Sequence, residues 1–514
     1  MEIELIEEFL KSSNYTRDNL EFLKRKYSKK YKKKLLRNSS LIEAYHKILK
    51  GKTPDPEVMN VLRIRSIRSL SGIVIVSVLT KSYPCPGNCV FCPSQADIPK
   101  SYLAQEPAVA RAIMFDYHPY KQVAGRLKAL QATGHPIDKI DIRIIGGTWS
   151  YYEKNYQNWF VNQCFKAANE FSGKKSKTTL ENNQKMNESA NNRIIGLTIE
   201  TRPDYINDKE IKRLRKLGVT RVELGVQSIY DEVLKLNKRG HNIQQTIDAT
   251  KLLKDAGFKV CYQLMPNLWG STFEKDIEMF KTLFNSPEFH PDYIKIYPCS
   301  LLKEAPLYKA YVQGKYKPYN EKELTKLLLE IKKTIPYYCR IQRIIRDIPS
   351  DYVVEGGTKT TNLRQVLEKQ SLEQGWKCKC IRCREVKDNY DPNEKLYLKK
   401  IEYGTLGGKE IFLSYENKDN TRLYSLIRLR IPDNKDELLV RELHTYGQLL
   451  PISKTGIAPQ HKGLGKKLML EAEKIAREYN KKYVSVISGV GVRGYYRKLG
   501  YRLKNTYMVK IINK

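Results

Sequence analysis

No stretch of the 514 residues is long and apolar enough to span a bilayer. The opening residues, MEIELIEEFLK, are acidic and lack the apolar core of a signal peptide. That predicts an intracellular, cytoplasmic protein with no membrane partner. Acidic side chains are in deficit: 56 Asp and Glu stand against 92 Lys and Arg, a formal net charge of +36. An excess of this size points to a polyanionic partner, because each cation that meets a phosphate releases a condensed counterion. A lysine-rich codon or habitat bias is the plainer source of the same composition. Cysteine is sparse as well, ten residues in all, which in this compartment are reduced thiols or metal ligands and not a disulfide framework. The length exceeds one ordinary domain and predicts two or three.

The positive charge is clustered. KRKYSKKYKKKLLR, residues 24–37, holds nine basic side chains: Lys24, Arg25, Lys26, Lys29, Lys30, Lys32, Lys33, Lys34 and Arg37. Residues 1–70 read as a helical region whose second helix carries this run. The run is either an arm laid along a phosphate backbone or a plain solvated helix face. Arg63, Arg65 and Arg68 in LRIRSIRSL extend the arm, or make a charged face on a short helix or turn.

Residues 71–370 change character. The β-rich runs GIVIVSVL, KIDIRIIGG, IIGLTIE, VTRVELGVQS, KVCYQLMP and YIKIYPCS alternate with helical stretches such as DKEIKRLRKLG. Alternation of this kind predicts parallel strands joined by crossover helices, and six strands fit a full or partial (β/α) barrel. Polar residues collect just past the strands: Gly146-Gly147-Thr148, Glu200-Thr201-Arg202, Gln227-Ser228, Pro266-Asn267 and Cys299. In such barrels the chemistry sits at that end, which makes Glu200 a candidate catalytic carboxylate. The polar segment 172–192, SGKKSKTTLENNQKMNESANN, reads as a disordered surface insertion. Residues 371–397 form a cysteine-rich linker, and residues 398–514 a compact α+β domain of several antiparallel strands and one long helix.

Three cysteines, Cys85, Cys89 and Cys92, follow the first barrel strand as C-x3-C-x2-C. A structural zinc wants four ligands, and no fourth cysteine or histidine lies nearby. A [4Fe-4S] cluster held by three thiolates keeps one iron open for a substrate or cofactor. The Pro-Gly pair between Cys85 and Cys89 favours the tight turn such a loop needs. The spacing resembles the radical S-adenosylmethionine (SAM) superfamily. That resemblance implies SAM chelated to the open iron and cleaved to a 5′-deoxyadenosyl radical, with Gly146 and Gly147 of GGTW holding its amino group.

Near the C-terminus, QHKGLGKKLMLEAEKIA places Gln460, Gly463 and Gly465 at a helix start, where free N–H groups and the helix dipole favour a pyrophosphate. With the strand LVRELHTYG before it and YVSVISGVGVRGYYRKLGY after it, the order resembles the GNAT acetyltransferase fold. By that resemblance Glu442, Leu443, His444 and Thr445 face the pantetheine arm of acetyl-CoA. Leu464, Gly465 and Lys466 join the loop's contribution, and Tyr495 or, preferably, Tyr496 closes over the thioester. Both tyrosines, and His444, also fit plain packing roles.

A radical-SAM barrel fused to a GNAT domain, with TIETRPDY, RVELGVQS, NKRGH, RIIRDIP, CREV and GYYRKLGYRL, resembles the catalytic subunits of Elongator and their archaeal and bacterial stand-alone relatives over roughly residues 55–514. The resemblance implies a tRNA carboxymethyluridine synthase. Acetyl-CoA gives its methyl carbon to C5 of uridine 34, an electron donor reduces the cluster, and self-association or accessory subunits are open. It also implies that both cofactors meet at the domain interface, and that Lys139 contacts acetyl-CoA from the barrel side. Separately, Cys378, Cys380 and Cys383 in KCKCIRC suit a structural Zn2+ at Zn–S distances of ~2.3 Å, with Cys299 as first choice for the fourth ligand and Cys339 as second. The rival readings are a protein lysine acetyltransferase with a non-catalytic barrel and a tRNA-binding scaffold with inactive centres.

Overall fold

The computed structural model describes residues 1–52, 54–64, 72–171, 173, 175–357, 360, 362–387, 391, 393–447 and 463–512; Arg65, Arg68 and Gln460 lie outside them. Its centre is a parallel sheet of seven strands side by side in chain order. They are β1 (Val74–Leu79), β2 (Lys139–Ile145), β3 (Arg193–Thr201), β4 (Arg221–Gln227), β5 (Lys259–Leu264), β6 (Tyr293–Ile296) and β7 (Arg340–Arg343). β1 and β7 are the sheet's two edges, so the barrel is open along one side.

The strands alternate in a way that parallel strands rarely do. Ile140, Ile142 and Ile144 of β2, Val222, Leu224 and Val226 of β4, and Val260, Tyr262 and Leu264 of β5 pack outward with helix residues such as Leu127, Phe160, Leu253 and Phe280. The residues between them, including Lys139, Asp141, Arg143, Arg221, Lys259, Gln263 and Lys295, line an inner cavity. A parallel sheet is ordinarily apolar on both faces, and a closed barrel is packed with branched aliphatics. This interior is charged instead.

Four N-terminal helices, Glu2–Lys11, Arg17–Lys30, Asn38–Leu49 and Pro56–Leu62, have a core of their own. They dock on the barrel where Arg63 Nε donates to the Gly134 carbonyl (3.0 Å) and His135 pairs with the Ile64 carbonyl (3.0 Å). The basic run does not all face solvent. Lys24 is buried and bonded to Glu21 and Asn38, so it is removed from the expected RNA contacts. Lys26 and Lys30 pair with Glu8 and Glu4. Arg25, Lys29, Lys32, Lys33, Lys34 and Arg37 remain exposed.

The expectation of a disordered insertion at 172–192 is corrected. Its described residues include the helix Leu180–Asn187, started by the Thr179 hydroxyl accepting from the Asn182 N–H. Asparagines hold it. Asn187 Nδ2 donates to Asn169 Oδ1 (2.8 Å), Asn183 Nδ2 to Asn162 Oδ1 (2.8 Å), and the Ile194 N–H at the start of β3 to Asn187 Oδ1 (2.7 Å). Buried amides that satisfy one another stand in for the apolar residues this segment lacks.

The C-terminal sheet runs β8 (Tyr397–Thr405), β9 (Gly408–Glu416), β10 (Leu423–Pro432), β11 (Glu437–Thr445), β12 (Tyr483–Val486), β13 (Arg502–Lys504) and β14 (Tyr507–Ile511), in the order β8-β9-β10-β11-β12-β14-β13. The helix Leu464–Glu478 packs its apolar side on this sheet. β11 and β12 pair in parallel only over Glu437–Val440 and then part. No described helix is long and apolar enough to cross a membrane.

The two sheets are locked together by buried ion pairs. Arg441 lies where the β10–β11 register slips, and its Nη1 donates to Asp292 (2.9 Å) and to Glu410 (2.7 Å). Arg430 Nε donates to Asp255 (2.7 Å), and Arg428 Nη1 lies 3.5 Å from Asp292 while its Nε donates to Glu442 (2.7 Å) on the neighbouring strand of its own sheet. Burial raises the pKa of Asp292 and Glu442. Arg441 and Arg428 outweigh it at Asp292, holding it well below the usual carboxylate range, and Arg428 with Lys259 holds Glu442 at about 2. Folded values below unfolded ones make this stabilisation complete above roughly pH 4 and lost as the pH falls further. Replacing Asp292 by Asn leaves two buried guanidiniums short of a carboxylate and is expected to cost about 3–5 kcal/mol. Thermal unfolding at pH 5 and pH 3 checks this: the wild type should lose stability across the interval, and Asp292→Asn should lose less.

Candidate active site

The cavity of about 1320 Å³ runs through the inside of the open barrel, from the loop after β1 to the C-terminal domain. Its head carries Cys85, Cys89 and Cys92. The Val90 N–H donates to the Asn237 carbonyl (3.1 Å) and the Leu307 N–H to the Val90 carbonyl (2.8 Å), which fixes the loop between two later crossovers. Cys89 and Cys92 are buried and Cys85 is half-buried. Burial, and then Cys89, push the Cys92 thiol up to about 11. Gly146 and Gly147 both have positive φ, +127° and +110°, and a Cβ on Gly146 would collide with the Thr80 hydroxyl. That turn needs glycine, and Gly147 lines the cavity beside the cysteine loop.

Glu200 leaves the end of β3 at the same head. It accepts from Tyr102 Oη (2.9 Å), Gln263 Nε2 (2.9 Å) and Lys295 Nζ (3.1 Å). Lys295 also pairs with Glu223. One ammonium therefore serves two carboxylates. Burial raises Glu200, whereas Lys295 and Arg221 hold Glu223 down at about 2 against its own burial. The ladder continues toward the foot as Arg221 Nη2 meets Asp141 (3.0 Å), with Arg143 Nε beside the same carboxylate (3.5 Å).

At the foot, Lys139, Arg193, Lys259 and Tyr293, each opening its strand, face Glu442, Leu443, His444 and Thr445 of β11. Burial lowers the pKa of Lys139 and of Lys259. Gly463, Gly465, Lys466, Tyr495 and Tyr496 line the same end, and Leu464 is the buried first residue of the long helix. A Cβ on Gly465 would stand 3.0 Å from Tyr495 Oη. Tyr496 packs in the domain core, edge-on to Tyr501.

The cysteines lie at the C-terminal strand ends and Glu442–Thr445 face the N-terminal ends, so the two sets line opposite ends of one cavity, roughly 20 Å apart at ~3.3 Å per residue along β2.

Among the described residues, the cysteines whose thiols gather within 4.8 Å of one another are Cys378, Cys380 and Cys383. That closeness suits a single tetrahedral ion, whose sulfurs at ~2.3 Å from the metal stand about 3.8 Å apart. Hydrogen bonds from Cys378 and Cys383 hold the Cys380 thiol well below its ordinary value. Cys85, Cys89 and Cys92 do not gather so tightly, as thiols spread around a larger cluster would not. The choice of Cys299 as fourth zinc ligand is corrected: it is buried in a separate apolar cluster with Tyr316, its N–H on the Pro266 carbonyl. Cys339 lies next to the set, its carbonyl accepting from the Ile381 N–H (3.0 Å), but its thiol is not among the three.

Sequence reading missed Arg239, whose Nη1 donates to Cys89 Sγ (3.5 Å) and whose Nη2 reaches the Gly225 carbonyl. It missed the inner ladder as well. The signal was present: K-I-D-I-R, R-V-E-L, K-V-C-Y-Q and Y-I-K-I alternate charge with apolar residues along strands that parallel pairing would otherwise make apolar throughout.

Residues 80–283 match the family model of the Radical SAM superfamily, and residues 291–373 that of the Radical_SAM C-terminal domain. The chain is 44% identical over 489 residues to the tRNA uridine(34) acetyltransferase of Methanocaldococcus infernus, covering 90% of each. It is 37% identical over 535 residues to Elongator complex protein 3 of Schizosaccharomyces pombe, covering 99% of this chain and 97% of that one. The solved structure of the archaeal Methanocaldococcus infernus Elp3 lacking residues 1–46 superposes with a TM-score of 0.75 at 41% identity, over 86% of this chain and 100% of that one. The chain thus belongs to the radical SAM family that contains the tRNA uridine(34) acetyltransferases and Elongator complex protein 3.

Proposed function

We propose that this enzyme is a tRNA carboxymethyluridine synthase, working on uridine 34 through the lumen that joins its two ends. The relatives' name gives the wobble uridine as substrate, at 44% identity over most of both chains. The observation that carries the reading is the continuous cavity from the cysteine loop to the parted strands β11 and β12. A lone acetyltransferase needs only the foot of that cavity; a barrel with no chemistry needs neither its charged wall nor its three cysteines.

When bound at Cys85, Cys89 and Cys92, a [4Fe-4S] cluster with SAM supplies a 5′-deoxyadenosyl radical, and acetyl-CoA at the foot supplies the carbon unit. The residues present fit both groups. Three buried or half-buried thiols, the Gly146–Gly147 turn and the Arg239 guanidinium surround the first. For the second, Glu442–Thr445 lie beyond the stretch Glu437–Val440 over which β11 pairs with β12, and Gly463, Gly465 and Lys466 open the helix that would meet a pyrophosphate. Lys139 faces the same end from the barrel. Tyr495, half-exposed with its hydroxyl at Gly465, is better placed over a thioester than the core residue Tyr496. Glu200, kept in place by Tyr102, Gln263 and Lys295, orients what enters the head.

The open side of the barrel admits the RNA. Arg346 bridges the sheet edges at the head through Ser101 Oγ (3.1 Å) and Glu106 (2.7 Å). Below that bridge Arg126 lines one side, and Arg364 and Arg382 the other. An anticodon base splayed from its stack reaches the lumen there, while exposed Arg25, Lys29 and Lys32–Lys34 take backbone phosphates. A one-electron donor completes the set of partners.

Anaerobic reconstitution with SAM, reductant, acetyl-CoA and unmodified tRNA tests the reading by nucleoside mass spectrometry. Carboxymethyluridine should form with wild type and vanish with Cys89→Ala. Lys139→Ala should lower acetyl-CoA turnover at least tenfold while 5′-deoxyadenosine still appears. Acetyl-CoA turnover with no modified base, or a Cys89→Ala enzyme that still modifies tRNA, contradicts the proposal.

Cys378, Cys380 and Cys383 we assign to a structural Zn2+ that pins the linker to β7. Metal analysis should find one zinc per chain, lost in Cys380→Ser together with thermal stability; folded protein without zinc removes the assignment.

A further inference from the structure

Arg202 follows β3 and is buried, 4% exposed, directly beneath the cysteine loop. Two of its three nitrogens are committed: Nε and Nη2 donate to the two oxygens of Asp204 (2.9 and 2.8 Å). The third, Nη1, has no partner in the protein. A buried guanidinium N–H left unpaired costs free energy unless something else receives it. Its aim is fixed by two glycines. A Cβ on Gly87, between Cys85 and Cys89, would collide with Nη1, and a Cβ on Gly240 would stand 3.1 Å from Nη2. The guanidinium thus fills a slot that opens only because both residues lack side chains. Asp204 holds it there like a clamp, since the paired bonds leave the plane no freedom to turn.

The charge environment agrees. Burial opposes the Arg202 charge; the bonds to Asp204 favour it and win. His241 is driven down to about 2 by burial and then by Arg239 and Arg202, so its imidazole is neutral beside the two cations.

We propose that Arg202 is a positioning residue for the cluster: its Nη1–H donates to a Cys85 or Cys89 thiolate sulfur of the bound cluster and raises the cluster's reduction potential. The inference rests on the cluster being held by Cys85, Cys89 and Cys92. A cluster that accepts one electron from an external one-electron carrier becomes more negative by one charge. A cation and a hydrogen bond at its sulfurs stabilise that reduced state over the oxidised one. Arg239 supplies one such contact, its Nη1 donating to Cys89 Sγ and its Nη2 to the Gly225 carbonyl, and Arg202 adds a second. Asp204 takes no part in the redox step; it sets the angle.

The test is a potentiometric titration of the anaerobically reconstituted full chain without SAM, followed by the electron-paramagnetic signal of the reduced cluster, with iron and sulfide counted in every sample. At the wild-type midpoint, Arg202→Gln with a full complement of iron should show the reduced-to-oxidised ratio down about tenfold, a shift of about 59 mV for one electron. Arg202→Lys, which keeps the cation without the fork, should fall between. A Gln variant with full iron and the wild-type midpoint overturns the proposal. Should Arg202→Gln take up no iron, Asp204→Asn decides, because it releases the clamp and keeps the cation. A lowered midpoint there supports the role, and an unmoved one overturns it. A wild type with no four-iron signal at all defeats the underlying cluster reading instead, which keeps the two failures apart.

Discussion

Lys295 stands on the inner face of a parallel sheet between Glu200 and Glu223, with Arg221, Asp141 and Arg143 below it. Charges so placed cannot be packed against one another as aliphatics are. Each must be paired, and the pairs must keep some contact with water, since full desolvation of an ion costs several kcal/mol even in real proteins. The barrel therefore cannot close and fill. An open side, a lumen of about 1320 Å³ and a route from cysteines to C-terminal domain all follow from that wall. The outer face of the same strands carries the apolar core, so the fold loses little stability by leaving its inside wet.

The junction between the sheets uses the same material differently. Arg428, Arg430 and Arg441 are at most 1% exposed and their partners come from both domains. Buried pairs of this kind add little net stability over an apolar contact but punish any misfit heavily. They therefore fix how the C-terminal domain sits against the foot of the barrel. That position decides which residues face one another across the lumen: Lys139, Arg193 and Lys259 from the barrel, Glu442 and His444 from β11. The parting of β11 from β12 would be of no use if the domain were free to turn away.

Local sequence signals carried the reading a long way. The three cysteines, the Gly-Gly turn and the six β-rich runs were readable because each depends on residues close in the chain. What depended on distant partners was not. Cys299 lies past a strand end as a ligand might, yet its place is decided by Tyr316 and Pro266, and it points into an apolar cluster. The segment 172–192 has a disordered composition, but four asparagines at 162, 169, 183 and 187 bond across helices and order it. Lys24 belongs to a basic run by composition and to the helical core by its bonds to Glu21 and Asn38. Arg202 and Arg239 gain their meaning only when Gly87 and Cys89 fold over them. The ladder itself was legible as alternation along the strands, though alternation does not say whether the polar face meets solvent or a lumen.

The claim on which the account turns is that cluster and acetyl-CoA occupy opposite ends of one cavity. Pulsed electron-paramagnetic distance measurement between the reduced cluster and a nitroxide-bearing CoA thioester analogue, on the full chain without tRNA, tests it directly. The account predicts a defined separation of roughly 20 Å, the length of β2 at ~3.3 Å per residue. A separation beyond about twice that strand length would place acetyl-CoA outside the lumen and contradict it.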